Sequence, residues 1–469
     1  MSSFGSISTA LSALQSHRKA LDVTGNNIAN ANTPGYTRQR AELQSLVAPG
    51  VQSLFSTSKL TGNGVQVLGT SRLADAFLDA RVRSQTSASA DLSGKAETLA
   101  AVEKLIAEPS DEGLAAQFKD MWDAWSVLAD HPELEAARTG VLEASKAVVQ
   151  RIASSYKSVE TLWGQVHSQA NGLVTEVNKA AESVADFNAQ IRSAVTNGGS
   201  PNELMDQRDQ LVVRLSELTG ATAEAGADGV VNVFLGSNAL VRGTSAASVT
   251  LTGASTLDAL RAGGGATSLS WTTGGAATVR GGSLTASFDA LKTTLPDEAK
   301  QYDTIAAALA ASVNTLHLTG QGLDGVTGRP LFAKGADAAY TASNLVLAID
   351  QPDQLAAATG TGAGGRLDGS VAQRIAGTGS VKGGPDALWN EHVVRRGVEA
   401  GAANLRADVA QQSLGAVVSD QMASAGVSID EETANLLMIQ RAYEGAARVL
   451  TAVDQALDTL INRTGLVGR

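Results

Sequence analysis

The sequence contains no cysteine. Disulfides, thiolate zinc sites and a cysteine nucleophile are therefore excluded. The absence fits a cytosolic protein, and equally an exported one that stays free of cross-links while threading a narrow channel. Aromatic residues are scarce, at 4%, although apolar residues reach 43%. That combination favours slim, alanine-rich helical bundles over thick cores. No basic cluster able to neutralise phosphates occurs, and 36 Lys and Arg face 47 Asp and Glu for a net charge of -11. Nucleic acid is not an expected partner. No run of about 18 apolar residues occurs, so no membrane-spanning helix or membrane insertion is predicted. Near the N-terminus, Arg18 and Lys19 follow the apolar positions instead of preceding them, unlike a cleavable signal. An exported protein of this kind needs another route.

Signs of catalysis are also missing. There is no G-x-S-x-G elbow. The five histidines (His17, His131, His167, His317 and His392) lie away from any metal-ligand spacing. Gly360-Thr361-Gly362-Ala363-Gly364-Gly365 matches a dinucleotide fingerprint formally, but no strand precedes it, and it reads as a flexible loop. Asp324-Gly325 offers one carboxylate where calcium needs several oxygens, and reads as a β-turn. Trp122 and Trp125 share a helical spacing with Phe118 and Met121 that suits a bundle core. Glu431-Glu432 suit a helix first turn, where the macrodipole favours acids. The sequence thus nominates no catalytic, cofactor-binding or metal-binding residue.

What is present lies at the two ends. Phe4, Ile7, Leu11, Leu14, Leu21 and Ile28 recur at alternating three- and four-residue steps, the a/d pattern of a coiled-coil seam broken at Arg18 and Gly25. The pattern runs into Asn26-Asn27-Ile28-Ala29-Asn30-Ala31-Asn32-Thr33-Pro34-Gly35-Tyr36. Asn is a poor helix former, and Pro34-Gly35 suit the centre of a type II turn. A narrow helix therefore ends in a polar corner. At the other end, Ser428 can cap a helix with Glu431 completing a capping box. Leu436, Ile439, Tyr443, Ala446, Leu450, Val453, Leu457 and Leu460 then fill every a and d position, and Gly465 reads as a stop. The two seams predict that the ends pair with each other, with everything else inserted between them.

A length of 469 residues suggests two to four domains. The expected fold is mainly α with inserted β, an α+β multidomain chain. Segment 1–40 pairs with 428–469 as a coiled-coil-like unit. Residues 41–220 and 386–427 form an elongated antiparallel helical bundle, against which helix 283–318 packs or bridges. Leu295-Pro296 predicts a break or kink in that helix. Residues 221–282 and 319–385, rich in Gly, Ser, Thr and Val, form a small β-rich outer domain. Val65–Leu68, Val230–Leu235, Ser268–Trp271 and Leu345–Ile349 are its strand candidates or those of the neighbouring irregular stretch.

The Asn26–Tyr36 stretch closely resembles the N-terminal signature of bacterial flagellar axial proteins, those of rod, hook and hook–filament junction. Gln440-Arg441-Ala442-Tyr443-Glu444-Gly445-Ala446-Ala447-Arg448-Val449-Leu450 resembles their C-terminal signature. Within the family, the chain length, Val427-Ser428-Ile429-Asp430-Glu431-Glu432, and the helical stretch holding Asp206-Gln207-Arg208-Asp209-Gln210-Leu211 are similar to the junction branch. The resemblance covers both ends and most of the helical part, and the β-rich middle only weakly.

The resemblance implies a structural protein, not an enzyme and without cofactors, exported uncleaved by the flagellar type III apparatus to the extracellular flagellum. It implies self-assembly into a ring of eleven subunits at the distal hook end. Hook protein would lie below, and a second junction protein adjoining the filament above. A cytosolic export chaperone would cover the C-terminal helix. The seam residues would carry subunit packing, and Asn26, Asn27, Asn30, Thr33, Pro34, Gly35 and Tyr36 would form a joint. A hook or distal rod protein is the alternative within the class. A secreted adhesin or enzyme using the β-rich middle is the alternative outside it.

Overall fold

The computed structural model describes residues 3–46, 62–335, 339–360 and 366–462. The chain is mainly helical and carries a few small antiparallel sheets. It divides into two compact units. One gathers Met1–Ser87, Val177–Ser248 and Gln412–Arg469; the other gathers Ala88–Glu176 and Val249–Gln411.

The first unit holds both chain ends. Helix α1 (Ser3–Ala29) packs along α11 (Ile429–Asn462) and against a hairpin of β1 (Gln39–Ser45) and β2 (Val65–Arg72). Only β2 carries a strand pattern in the sequence. β1 is polar on its outer face and is ordered by pairing with β2. Helix α5 (Asn202–Thr219) closes on Gly220, whose φ of 70° is the left-handed conformation that glycine takes without strain. A four-stranded meander follows: β3 (Thr222–Ala225), β4 (Val231–Leu235), β5 (Asn238–Arg242) and β6 (Ser245–Ala246). Val233, Leu235, Leu240 and Val241 form its buried face. Helical side chains anchor the sheet. Asn188, fully buried on α4 (Glu135–Thr196), donates through Nδ2 to the carbonyls of Val231 (2.8 Å) and Gly243 (2.7 Å). Its Oδ1 accepts from the Val231 N–H at 3.1 Å. A side-chain amide thus stands in for a missing strand partner.

The remaining strands lie in the second unit. They are β7 (Val249–Thr252), β8 (Ser268–Trp271) and β9 (Ala276–Ala277) in one sheet, and β10 (Phe332–Lys334) with β11 (Leu345–Leu347) in another. The β-rich residues expected as one outer domain are therefore distributed between the units. Two of the small sheets are anchored by helical asparagines, Asn188 to Val231 and Asn314 to Phe332, and short strands have too little surface to form a core together.

The second unit is built from helices α2 (Ala76–Ile106), α3 (Leu114–Asp130), the short α6 (Leu257–Arg261), α8 (Leu295–His317), α9 (Ser370–Ala376) and α10 (Pro385–Ala425), with the first part of α4. Phe118, Met121, Trp125 and Leu128 of α3 are buried together. Trp122 donates its indole N–H to Asp386 at 2.8 Å, and Trp163 donates to the Leu291 carbonyl at 3.0 Å. The tryptophans are core residues. Ahead of Pro296, residues Ala290–Thr294 widen into a π-helical turn between α7 (Gly282–Asp289) and α8, so the axis continues where a break was expected. The wider turn accommodates the missing proline N–H without interrupting the helix. The Asp324 loop is a turn: Gly325 has φ 79°, its N–H donates to Gly322 O, and Asp324 pairs with Arg329. Residues 361–365, most of the glycine-rich stretch, lie outside the described residues, as do 47–61 and Gly465. Among the described residues, no helix is long and apolar enough to cross a membrane, and no group of three or more acidic or imidazole side chains could hold a metal ion.

Candidate functional site, the terminal helix pair and its corner

Because Asn27 of α1 bonds Glu432 of α11, 405 residues away, the two helices run antiparallel from a shared corner. On α11, the seam positions Leu436, Ile439, Ala446, Leu450, Val453 and Leu457 are half-buried. Tyr443 is exposed, and the Leu460 side chain is outside the described set. On α1, Ile7, Leu14, Leu21 and Ile28 are half-buried and Leu11 is 48% exposed; the Phe4 side chain is outside the described set.

The fully buried positions of α1 are Ala10, Ser16, Ala20, Val23, Thr24 and Asn27. They lie on a face rotated from the bulky a/d stripe. α1 is enclosed on one side by α11 and on another by the hairpin, and short side chains allow close approach on both. Ser16 Oγ donates to the Val65 carbonyl at 3.3 Å in that space. The bulky stripe is left at the edge, partly in water. Apolar residues of α11 are exposed as well, among them Leu437, Met438 and Val449.

The corner is a closed polar network. Thr33, Pro34, Gly35 and Tyr36 form the turn, with the Tyr36 N–H donating to Thr33 O at 3.2 Å and Gly35 at φ 74°. Those are the positions and the sign of φ that a type II turn demands. Asn30 Nδ2 donates to the Asn26 carbonyl (3.0 Å), and Thr33 Oγ1 donates to Asn30 Oδ1 (3.1 Å), tying down the frayed helix end. Asn26 itself is exposed.

Asn27 is the hub, at 1% exposure. Its Oδ1 accepts from the Tyr36 hydroxyl (2.9 Å) and the Gln39 N–H (3.0 Å). Its Nδ2 donates to the Gln39 carbonyl (2.8 Å) and to Glu432 Oε2 (2.9 Å). Arg38 completes the link to α11: its Nε donates to Glu432 Oε1 (2.8 Å) and its Nη1 to Glu431 Oε2 (2.9 Å). Ser428 Oγ accepts from the Glu431 N–H at 3.4 Å. The expected capping box is therefore half formed, because the Glu431 carboxylate turns to Arg38.

A second set of bonds fastens the corner to α5. Gln210 Nε2 donates to the Pro34 carbonyl (2.8 Å), and the Thr37 N–H donates to Asp206 Oδ2 (3.1 Å). Asn202 Nδ2 donates to Gln39 Oε1 (3.1 Å) and the Thr70 carbonyl (2.9 Å). Arg72 reaches Asp209 at 2.6 Å and Asp206 at 3.3 Å. Burial pushes the Tyr36 hydroxyl up to about 12, helped by the carboxylates of Glu203, Asp206 and Glu432. Tyr36 therefore stays a neutral donor to Asn27. Burial also raises the Asp206 carboxyl above its ordinary range, against the opposing pull of Arg72 and the Thr37 N–H.

Reading the sequence alone missed Glu432, Arg38, Gln39, Arg72, Asn202, Asp206, Asp209 and Gln210 as members of this site. Glu432 looked like any acid in a helix first turn, yet it is 2% exposed. The usable signal was the matching of donors and acceptors: an Asn- and Arg-rich corner at one end, and a Glu pair at the other.

Two terminal helices closed through a signature corner, with a helical body inserted between them, define an axial building block of a helical assembly. Sequence models of three families match the chain in register with that plan. They are the flagellar hook-associated protein FlgK helical domain over residues 99–332, the flagella basal body rod protein over 7–37, and the flagellar basal body rod FlgEFG protein C-terminal region over 420–463. The chain is 27% identical to flagellar hook-associated protein 1 of Bacillus subtilis across the whole of both proteins. It is 28% identical to the Escherichia coli protein of the same name over 71% of this chain and 60% of that one. The chain thus spans less than two thirds of the enterobacterial relative. The solved flagellar hook junction protein FlgK of Burkholderia pseudomallei superposes with a TM-score of 0.64 at 14% identity, covering 74% of this chain and all of that one. At that identity the likeness speaks for the fold. The chain belongs to the hook-associated protein 1 family of flagellar axial proteins.

Proposed function

We propose that the chain is a structural subunit of the hook–filament junction, exported uncleaved and assembled at the distal hook end. The observation that carries this reading is the state of the terminal pair. Its corner is fully bonded, yet its bulky apolar stripe stays half in water in the single chain. Half-covered apolar side chains gain further from burial, at roughly 25 cal/mol per Å² removed from water. Neighbouring copies supply that cover. Phe4, Ile7, Leu11, Leu14, Leu21 and Ile28, with Leu436, Ile439, Tyr443, Leu450, Val453, Leu457 and Leu460, then carry packing between subunits. The network from Asn26 to Tyr36 holds the terminal pair on the rest of the first unit.

Hook protein lies below the ring and the second junction protein above. Eleven copies close the ring, the stoichiometry the family resemblance implies. Before export, a cytosolic chaperone covers the exposed apolar face of α11. The chain works by adapting two helical lattices, without catalysis. The test is fluorescent labelling in a motile strain whose own junction protein has been replaced by this one. A thin band at each filament base supports the reading. Label along the whole hook would instead make it a hook or rod component, and saturable glycan binding by the purified chain would favour a secreted binding role.

A further inference from the structure

We propose that Glu432 is the positioning residue that registers the C-terminal helix against the N-terminal corner, with Asn27 and Arg38 forming a socket that accepts only a carboxylate. The inference deepens the assembly reading above and rests on it.

The apolar contacts between α1 and α11 specify register poorly. The face that α1 buries is made of Ala, Ser, Thr and one Val, and the α11 seam repeats every seven residues. A slip by one heptad returns small side chains to a similar apolar stripe. In helix pairs, a single buried polar contact is what selects one register, at some cost in stability. Among the described residues of α11, Glu432 is the one that is buried, and it sits where α11 begins.

The socket's demand follows from the hydrogen bonds. The Asn27 amide cannot turn over, because Gln39 presents its N–H to Oδ1 and its carbonyl to Nδ2, while the Tyr36 hydroxyl also donates to Oδ1. Asn27 must therefore offer an N–H to α11. Arg38 offers only N–H groups, through Nε at 2.8 Å and Nη2 at 2.7 Å from the same carboxylate oxygen. Both oxygens of residue 432 must accept. A glutamine there sets an amide N–H against either Asn27 or Arg38, whichever way it turns. Asp430, exposed in the same first turn, faces no such demand.

The cysteine-free chain makes register measurable. Counting one heptad in each direction from the Asn27–Glu432 bond sets Ala20 opposite Ile439. The pair Ala20→Cys with Ile439→Cys reports the observed register, and Ala20→Cys with Ala446→Cys reports a one-heptad slip. Each pair is placed in the full-length chain with Glu432, Glu432→Gln, Glu432→Leu or the control Asp430→Asn, oxidised, and run on a denaturing gel. Expected is a fall of about tenfold in the observed-register cross-link for both Glu432 variants, with the slipped cross-link appearing, and no change for Asp430→Asn. All five tryptophans lie in the second unit, so unchanged indole emission shows that the second unit is folded. An unchanged observed-register yield in Glu432→Gln overturns the proposal. Loss of the indole signal overturns it too, since the residue then supports the whole chain. If the unsubstituted chain fails to form the band at filament bases, the assembly reading falls. If it forms the band and the cross-links ignore Glu432, only the register role falls.

Discussion

Replacing Asn27 by Ala tests whether the corner holds the chain ends together. The side chain makes four hydrogen bonds, to Tyr36, to both backbone groups of Gln39, and to Glu432. Truncation leaves the Gln39 N–H, the Gln39 carbonyl and one Glu432 oxygen without their partner in a space that is closed to solvent. Each such buried group costs about 1–3 kcal/mol, and groups in one network do not add. Water entering the vacated volume recovers part. The net loss should be about 3–5 kcal/mol, borne by the first unit. Amide exchange read by mass spectrometry is the assay, because it reports region by region. At 1.4 kcal/mol per tenfold, peptides from 3–46 and 429–462 should exchange at least about a hundredfold faster. Peptides of the second unit should be unchanged. Asn26→Ala is the control: Asn26 is exposed, and the loss should stay within about 0.5 kcal/mol. Less than about a fivefold change in Asn27→Ala would refute the reasoning, since relaxation of the corner would then satisfy those groups at little cost.

Gly35→Ala forces φ 74° on a residue with a Cβ and drives that atom into the Gln210 side chain, which must leave the Pro34 carbonyl. We expect a loss of about 1–3 kcal/mol by denaturant unfolding followed with far-ultraviolet circular dichroism. Leu14→Ala and Leu21→Ala alter half-buried positions, so monomer stability should fall by only about 1 kcal/mol each, while incorporation at hook ends, counted by fluorescence, should fall much further. At the start of α9, hydrogen bonds from the Ser370 side chain, then from the Thr359 and Ser370 N–H groups, hold the Asp368 carboxyl down to about 2. Its native pKa lies below the unfolded value, so its contribution is present above about pH 4 and is lost as pH falls toward 2. Asp368→Ala should flatten that part of the pH–stability profile of the second unit, read by tryptophan emission. Asp206 has the opposite sign. Its carboxyl is raised by burial, so the native state binds the proton first, and its contribution favours folding as pH falls below the native value. Asp206→Asn should remove that rise in amide protection of the first unit, measured across the same pH series.

The sequence by itself determined the helices, the absence of disulfides, the pairing of the ends and the turn at Pro34-Gly35. These depend on local periodicity and backbone preference, which a chain carries along its own length. It also determined the core tryptophans, because their helical spacing with Phe118 and Met121 leaves one face to bury. Which face of α1 is buried was decided by the tertiary structure. The bulky a/d stripe is the stronger pattern, yet α1 is enclosed by both α11 and the β1–β2 hairpin, and close approach on two sides selects Ala10, Ser16, Ala20 and Thr24. Only the tertiary structure could distribute the short strands between two units, since strand patterning does not say which other elements a short sheet joins. The same holds for the corner. Its Asn residues were visible from the start, but what they bind is fixed by donors and acceptors brought together from opposite ends of the chain. A first-turn glutamate gives no sign, in one dimension, that an asparagine 405 residues away will take it out of water.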